Sequence, residues 1–496
     1  MKRTKRTLIA LVVVAVVLVA AVLVLVLPDQ VSGGEEAASS SSTGSTLYEY
    51  ASEDLESLAV TNENGTFTIV PDAEATAEAQ EKADEAAASA GSSTAASTVT
   101  TEFMIEELSG LPQNQTAVNL AAKDGYVFAT VKTVTETDDL ASYGLSADDP
   151  AATLTATFTD GTVKTLYVGT QTPLDSSSRY VREDGSNVVY AANVTETLLG
   201  PVTGFVDTGI TDYTASEDDN AEGVSAASSP FVKIDIQNQN GTLSLSRAGE
   251  SQPWSVNGLP ASGDAVSTLS ASLASMTAQD VVQIDPSDED LAAYGLSSPA
   301  ARVSMTTTGG ETTTLLIGGT NEDGQYYARL DGGRLVYTLS SSGTSWLSDD
   351  EMSLRCLTFL NDDVSAVQSF QMTGGASYDF EVTRTEEASS STEDQTSYSY
   401  SVTLNVTELS DYLNFTTFYG TAQDLQILED AGDAAPSGTP AWTITLTGYD
   451  ASLSHTYQFY ASGDRRYLVV VDGTVFGLMN TADFTALTDA AAALAA

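Results

Sequence analysis

The chain has 496 residues, too many for one hydrophobic core, so about three domains are expected. Its formal net charge is −49, and four of its 19 basic residues (Lys2, Arg3, Lys5, Arg6) precede the first apolar run, leaving 15 bases against 68 acids, a net of −53, for the rest. Such a surface repels phosphate backbones and anionic lipid, which argues against a nucleic-acid partner and against a chain lying flat on a membrane.

Residues Leu8 to Leu27 are an unbroken apolar run ending at Pro28. Twenty residues at about 1.5 Å each span a hydrocarbon core of about 30 Å. With four basic residues ahead of it, the run predicts an uncleaved single-pass anchor, N-terminus cytoplasmic and C-terminal mass extracytoplasmic. A cleaved signal peptide is the rival, but its apolar core is typically shorter, about 7–15 residues. Residues 1–28 are therefore assigned to basic tip and anchor. Residues 29–47, which include Ser39 to Ser42, are assigned to a flexible stalk.

Beyond the stalk the sequence repeats itself. Asp139-Leu140-Ala141-Ser142-Tyr143-Gly144-Leu145 returns as Asp290-Leu291-Ala292-Ala293-Tyr294-Gly295-Leu296, followed by Pro150 and Pro299. Each is followed by an alternating strand pattern, a tight turn (Asp160-Gly161; Gly309-Gly310) and a second strand, Leu166 to Gly169 or Leu315 to Gly318. Tyr180-Val181-Arg182 with Asp184-Gly185 then matches Tyr327-Ala328-Arg329 with Asp331-Gly332, and Val189-Tyr190 matches Val336-Tyr337. Apolar alternation broken by Asp-Gly or Gly-Gly predicts antiparallel hairpins, here a four-stranded meander.

Upstream, Asn64-Gly65 and Asn240-Gly241 mark a hairpin, and Ala265 to Val282 carries apolar residues at helical spacing. A third, weaker copy runs from Val364, with a helical stretch over Val406 to Leu428 and a meander over Trp442 to Leu478. In it the Tyr-Gly-Leu element is read as decayed to Leu425-Gln426-Ile427-Leu428. Polar inserts at one equivalent loop, Asp72 to Ser97 in the first copy and Glu386 to Ser397 in the third, are expected to point to solvent. The expected fold class is α+β: an N-terminal transmembrane helix and three tandem antiparallel meander units, each with a packed helix. The units are assigned to residues 48–213, 230–360 and 361–496, with a linker at 214–229.

Catalytic and metal chemistry is sparsely furnished. The sole histidine, His455, sits in a predicted strand and reads as a surface residue, and the sole cysteine, Cys356, reads as a buried small hydrophobe. One of each leaves the usual zinc ligand sets unavailable and precludes an intrachain disulfide. Phosphate-binding loops and the calcium-loop pattern are absent; Gly309-Gly310 and Gly318-Gly319 read as turns, and weak calcium binding at clusters such as Asn361-Asp362-Asp363 or Asp148-Asp149 is a minor alternative to solvated acids. No cofactor or metal is expected. Arg182 and Arg329 occupy equivalent strand positions where the third copy has Val470. They read either as ion-paired to a neighbouring strand or as a binding contact for an anionic group or partner. Tyr143 and Tyr294 are expected to plug the space beneath the meander, with Gly144 and Gly295 in a turn conformation and Leu145 and Leu296 completing the motif.

The Tyr-Gly-Leu…Pro element, the Gly after the second meander strand and the Tyr-x-Arg…Asp-Gly hairpin resemble a bacterial domain-of-unknown-function family, number 4340. The resemblance covers Leu140 to Leu199 and Leu291 to Trp346 well, and Trp442 to Leu478 loosely. It implies a membrane-anchored extracytoplasmic protein, some members being encoded beside ABC transporters that resemble a gliding-motility export system. It names no catalytic residues. The expected function is thus a non-enzymatic accessory or scaffold protein associated with an envelope ABC-type transport system, with transporter membrane subunits as partners. The alternatives are a cell-surface carbohydrate- or cation-binding module and, third, a carboxylate-based hydrolase.

Overall fold

The computed structural model describes residues 44–89, 99–173, 175–213, 229–250, 252–387, 397–450 and 453–496. The anchor Leu8 to Leu27 and nearly all of the linker lie outside these residues. Among the described residues, no helix is long and apolar enough to cross a membrane. The fold is mixed α+β with antiparallel sheets, and the chain divides into two compact units, residues 1–58 with 123–195 and residues 59–122 with 196–496.

In the first unit the meander runs Ala152–Phe158, Val163–Thr172, Asp175–Glu183 and Val188–Ala192, each strand antiparallel to the next. The first strand alternates strictly, burying Ala152, Leu154, Ala156 and Phe158 and exposing the threonines between them to varying degrees. That is the period-two pattern of a sheet with one covered face. A fifth strand, Lys132–Glu136, closes the meander by pairing with Val188–Ala192.

Within this unit, Asp124, in the last turn of the helix Gln115–Tyr126, accepts the Thr195 amide through Oδ2 at 2.8 Å. Burial pushes the Asp124 carboxyl above its usual value of 3.8, and the Thr195 hydrogen bonds offset this only in part. A raised carboxyl stabilises the fold fully below the ordinary carboxylate range, and that contribution is lost as pH rises through the folded value. Asp124→Asn keeps the acceptor for Thr195 without the buried charge. The variant should therefore gain stability relative to the parent between pH 4 and pH 7 in urea titrations. An unchanged difference at the two pH values would contradict this account.

In the second unit, Gly65–Pro71 pairs with Phe103–Ile105, and the polar insert between them is a helix, Ala73–Ser89, with no buried residue. The expected loop is corrected here: its Ala- and Glu-rich composition is strongly helix-forming. Nine strands form the second copy's sheet. In spatial order they are Leu259–Pro260, Ser255–Val256, Gly241–Ser246, Phe231–Asn238, Ala301–Thr307, Thr312–Thr320, Tyr326–Leu330, Leu335–Leu339 and Asp280–Ile284. Ser262 caps the helix Gly263–Ala274, which buries Val266, Leu269 and Leu273. The helical pattern read through Val282 thus stops at Ala274, and the following residues form the closing strand Asp280–Ile284. Gly318 and Gly319 lie within a strand, not at a turn.

The third copy's sheet has eight strands, from Thr407–Glu408 at one edge to Thr474–Asn480 at the other. Its core is aromatic: Phe370, Phe380, Phe415, Phe418, Tyr419, Phe459 and Phe484 are all buried. Phe380 stacks on Phe418 at 4.5 Å between ring centres, fastening the helix Tyr412–Gln423 to the sheet. Each such ring contributes roughly 1.5–3 kcal/mol by leaving water. Val406, read as the start of the helical stretch, instead makes a left-handed hairpin turn with Asn405 (φ 69° and 48°).

Candidate functional site

The repeated motif folds into a clamp. In the first copy a short 3-10 turn, Ala141–Tyr143, ends at Gly144 (φ 65°), and the Leu145 amide returns to the Leu140 carbonyl at 3.0 Å. In the second copy the capped helix Asp288–Ala293 leads to Gly295 (φ 72°), and the Leu296 amide returns to Leu291 at 2.7 Å. Glycine adopts this left-handed conformation without steric cost. Leu145 and Leu296 are buried, while Tyr143 and Tyr294 are half-buried and lie against Tyr180 and Tyr327 at 4.9 and 4.6 Å between ring centres. The turn sits directly on the second meander strand. A Cβ on Gly169 would lie 2.2 Å from the Tyr143 carbonyl oxygen, and one on Gly318 would lie 2.2 Å from that of Tyr294. The glycine after the second strand is therefore the socket for the turn.

The two arginines have different partners. Arg182 is 6% exposed; its Nε donates to the Leu145 carbonyl at 2.9 Å and its guanidinium lies 4.0 Å from the Tyr167 ring centre. It is turned inward to hold the turn. Arg329 is half-buried and donates from Nε to the Gly333 carbonyl, 2.7 Å away, within its own hairpin. The two residues occupy equivalent strand positions in their respective sheets.

Among its described residues the third copy has no such turn. Leu425 to Glu429 runs beside the last strand, with the Leu428 amide donating to the Leu478 carbonyl at 2.8 Å and a bridge between Glu429 and Leu478. This segment occupies the place of the closing strand Asp280–Ile284, so its reading as a decayed Tyr-Gly-Leu element is corrected. Strand pairing aligns Tyr167–Arg182, Leu316–Arg329 and Gln458–Val470. Tyr460 consequently stands where Gly169 and Gly318 stand, and the socket is lost together with the turn it serves.

On the first copy's sheet a cavity of about 340 Å³ opens, which the sequence did not announce. Val131, Val134, Pro173, Tyr180 and Ala191 form its apolar walls, and Tyr180 is the ring backed by Tyr143. Its polar groups are Lys132, Thr172, Asp175 and Ser178. Ser177 donates to Asp175 Oδ1 from its hydroxyl (2.6 Å) and amide (3.0 Å), and the Ser178 hydroxyl shares its one proton between Asp175 Oδ2 and Asn193 Oδ1, each 2.7 Å away. These bonds, led by that of the Ser177 hydroxyl, hold the Asp175 carboxyl below its usual range, with the charge of Lys132 adding to them. The hairpin between Gly169 and Tyr180 is two residues longer than that between Gly318 and Tyr327, and this is the one sequence signal of the cavity. A second cavity, about 290 Å³, lies on the second copy and is lined by Ser341, Thr344, Ser345, Ser348, Gln239 and Tyr326 among others.

In the third copy, His455 Nδ1 lies 2.7 Å from Asp472 Oδ2, and Asp472 Oδ1 accepts the Thr456 amide at 2.7 Å. Burial raises the Asp472 carboxyl, but these hydrogen bonds outweigh it and hold the group below its usual range. The pair fastens the Asp472-Gly473 turn to the adjoining strand. Cys356 is half-buried rather than buried, its thiol 3.3 Å from the Thr358 carbonyl, which corrects the expectation from its apolar neighbours. Among the described residues, no group of three or more His, Cys, Asp or Glu is arranged to hold a metal ion.

A family model described as Domain of unknown function (DUF4340) matches this chain twice, over residues 105–257 and 254–438. No curated protein and no solved structure matches it.

Proposed function

The chain belongs to the DUF4340 family, and from that premise we propose that it is a non-enzymatic, membrane-anchored extracytoplasmic accessory or scaffold protein working with an envelope ABC-type transport system. One observation carries the reading. The residues that the first two copies share most closely, Tyr-Gly-Leu and the glycine socket, are consumed in holding a turn onto a sheet. What is common to the copies is thus a way of building a surface, and a chain of such surfaces suits partner contact better than one reaction centre. The apolar run Leu8 to Leu27 behind four basic residues supports a membrane anchor on the same side of the argument.

The test is in-membrane cross-linking of the full-length protein, with co-purifying proteins identified by mass spectrometry. Recovery of transporter permease or ATPase subunits is expected, and deleting residues 1–28 should abolish it. Recovery of nothing but the protein itself, at good cross-linking yield, would sink the proposal.

A further inference from the structure

The cavity on the first copy has a composition that selects a ligand. Its walls are apolar, so an occupant with an apolar body gains by leaving water. Its volume of about 340 Å³ lies at the low end of small-molecule sites, which run from roughly 300 to 1,000 Å³. Among its lining residues are one base, Lys132, and one acid, Asp175. The Lys132 ammonium makes no hydrogen bond or ion pair among the described residues. Asp175 receives two hydrogen bonds on Oδ1 and one, shared with Asn193, on Oδ2, so Oδ2 retains acceptor capacity.

Four ligand types fit this lining poorly. A wholly apolar molecule would leave the charges of Lys132 and Asp175, both on exposed side chains, without a partner. A net anion would face Asp175, and a net cation would face Lys132. An uncharged polar ring answers neither charge in full. A small zwitterion with an aliphatic body answers both, since charge-assisted hydrogen bonds are about twice as strong as neutral ones.

We infer that this cavity binds a free aliphatic α-amino acid, its carboxylate on Lys132, its ammonium on Asp175 and its side chain against Val134, Pro173 and Tyr180. Ser177 and Ser178 are positioning residues: they fix the carboxylate of Asp175 in its charged form and orientation. Tyr143 supports the wall from behind through Tyr180, which links the repeat's motif to the site. The inference stands on the cavity alone and does not depend on a transporter partner.

Isothermal titration calorimetry of the full-length chain in detergent, with L-leucine as probe, decides the matter. Saturable binding is expected. Isoamylamine, which lacks the carboxylate, and 4-methylpentanoate, which lacks the ammonium, should each bind about tenfold more weakly or worse. Lys132→Gln alters an exposed side chain without hydrogen bonds, and should weaken leucine about tenfold while leaving isoamylamine unchanged. Asp175→Asn should do the converse, sparing 4-methylpentanoate; should it fold poorly, the analogues on the unaltered chain still test the acid. Absence of leucine binding at millimolar concentration overturns the inference. So does equal binding of leucine and its one-charge analogues, or saturable binding of methyl α-glucoside in place of leucine.

Discussion

Gly318→Ala is expected to lower the stability of the second copy by about 2–4 kcal/mol, while Gly319→Ala, one residue away, changes it by less than about 0.5 kcal/mol. The two glycines look alike in sequence but face opposite sides of the strand. A Cβ at Gly318 meets the Tyr294 carbonyl oxygen at 2.2 Å, with the Gly295 carbonyl carbon and Leu296 side chain both 3.2 Å away. These are backbone and packed neighbours, so relief requires the whole turn to lift from the sheet. Lifting it also breaks the hydrogen bond from the Gly319 amide to the Tyr294 carbonyl (2.8 Å), a loss of roughly 0.5–1.5 kcal/mol. At Gly319 the same oxygen lies 3.7 Å from an added Cβ, an ordinary contact. Urea unfolding followed by tryptophan fluorescence measures both, since Trp254 and Trp346 report on this copy. Equal midpoints for the two variants would remove the socket from the account of the motif.

The contrast between those glycines shows what a single sequence conveys and what it does not. Gly295 was legible as a turn residue because its positive φ is a local demand, written into Tyr-Gly-Leu and the helix cap before it. The role of Gly318 arises from an approach between segments some twenty residues apart, so the residue invited a local reading as part of a Gly-Gly turn. Strand alternation made the meanders legible for the same local reason: Ala152 to Phe158 states its period within seven residues. The closing strands Lys132–Glu136 and Asp280–Ile284 state nothing comparable. Each is five residues long and carries one irregular step in its pairing.

Arg182 and Arg329 illustrate the same limit from the side of function. Their matching positions were visible, but the inward course of one guanidinium depends on Tyr167 and on where the Leu145 carbonyl falls. In the third copy, apolar content alone let Leu425 to Leu428 pass for the decayed turn. Tyr460 was the available signal against that assignment, because no turn can seat where the socket carries a tyrosine. The cavity of the first copy was legible only as two extra hairpin residues, and its lining came from four strands that no local pattern assembles.

Arg355→Ala should cost about 3 kcal/mol and separate the unfolding of the second and third copies, whereas Arg355→Met should cost less than about 1.5 kcal/mol. The Arg355 side chain is fully buried. Its backbone bridges to Ala261 at the edge of the second copy's sheet, and its Nη2 donates to the carbonyl of Phe476 in the last strand of the third. Nη1 lies 3.2 Å from Glu351 Oε1, Asp430 is 4.0 Å away, and the guanidinium lies 4.9 Å from the Phe476 ring centre. Burial pushes the guanidinium's pKa down, opposed by the charges of Glu351 and Asp430, and Nε has no hydrogen-bond partner. The buried charge is therefore itself expensive, and much of what Arg355 contributes is filled volume between two sheets. Alanine removes both volume and hydrogen bonds and leaves the Phe476 carbonyl unanswered; methionine restores the volume and relieves the desolvated charge. Calorimetry with Trp346 and Trp442 fluorescence as separate reporters distinguishes the copies. In the alanine variant the two reporters should lose their common midpoint, and methionine should bring them back together. Were both substitutions equally damaging, the charge rather than the packing would be the link, and Glu351→Gln should then reproduce the loss.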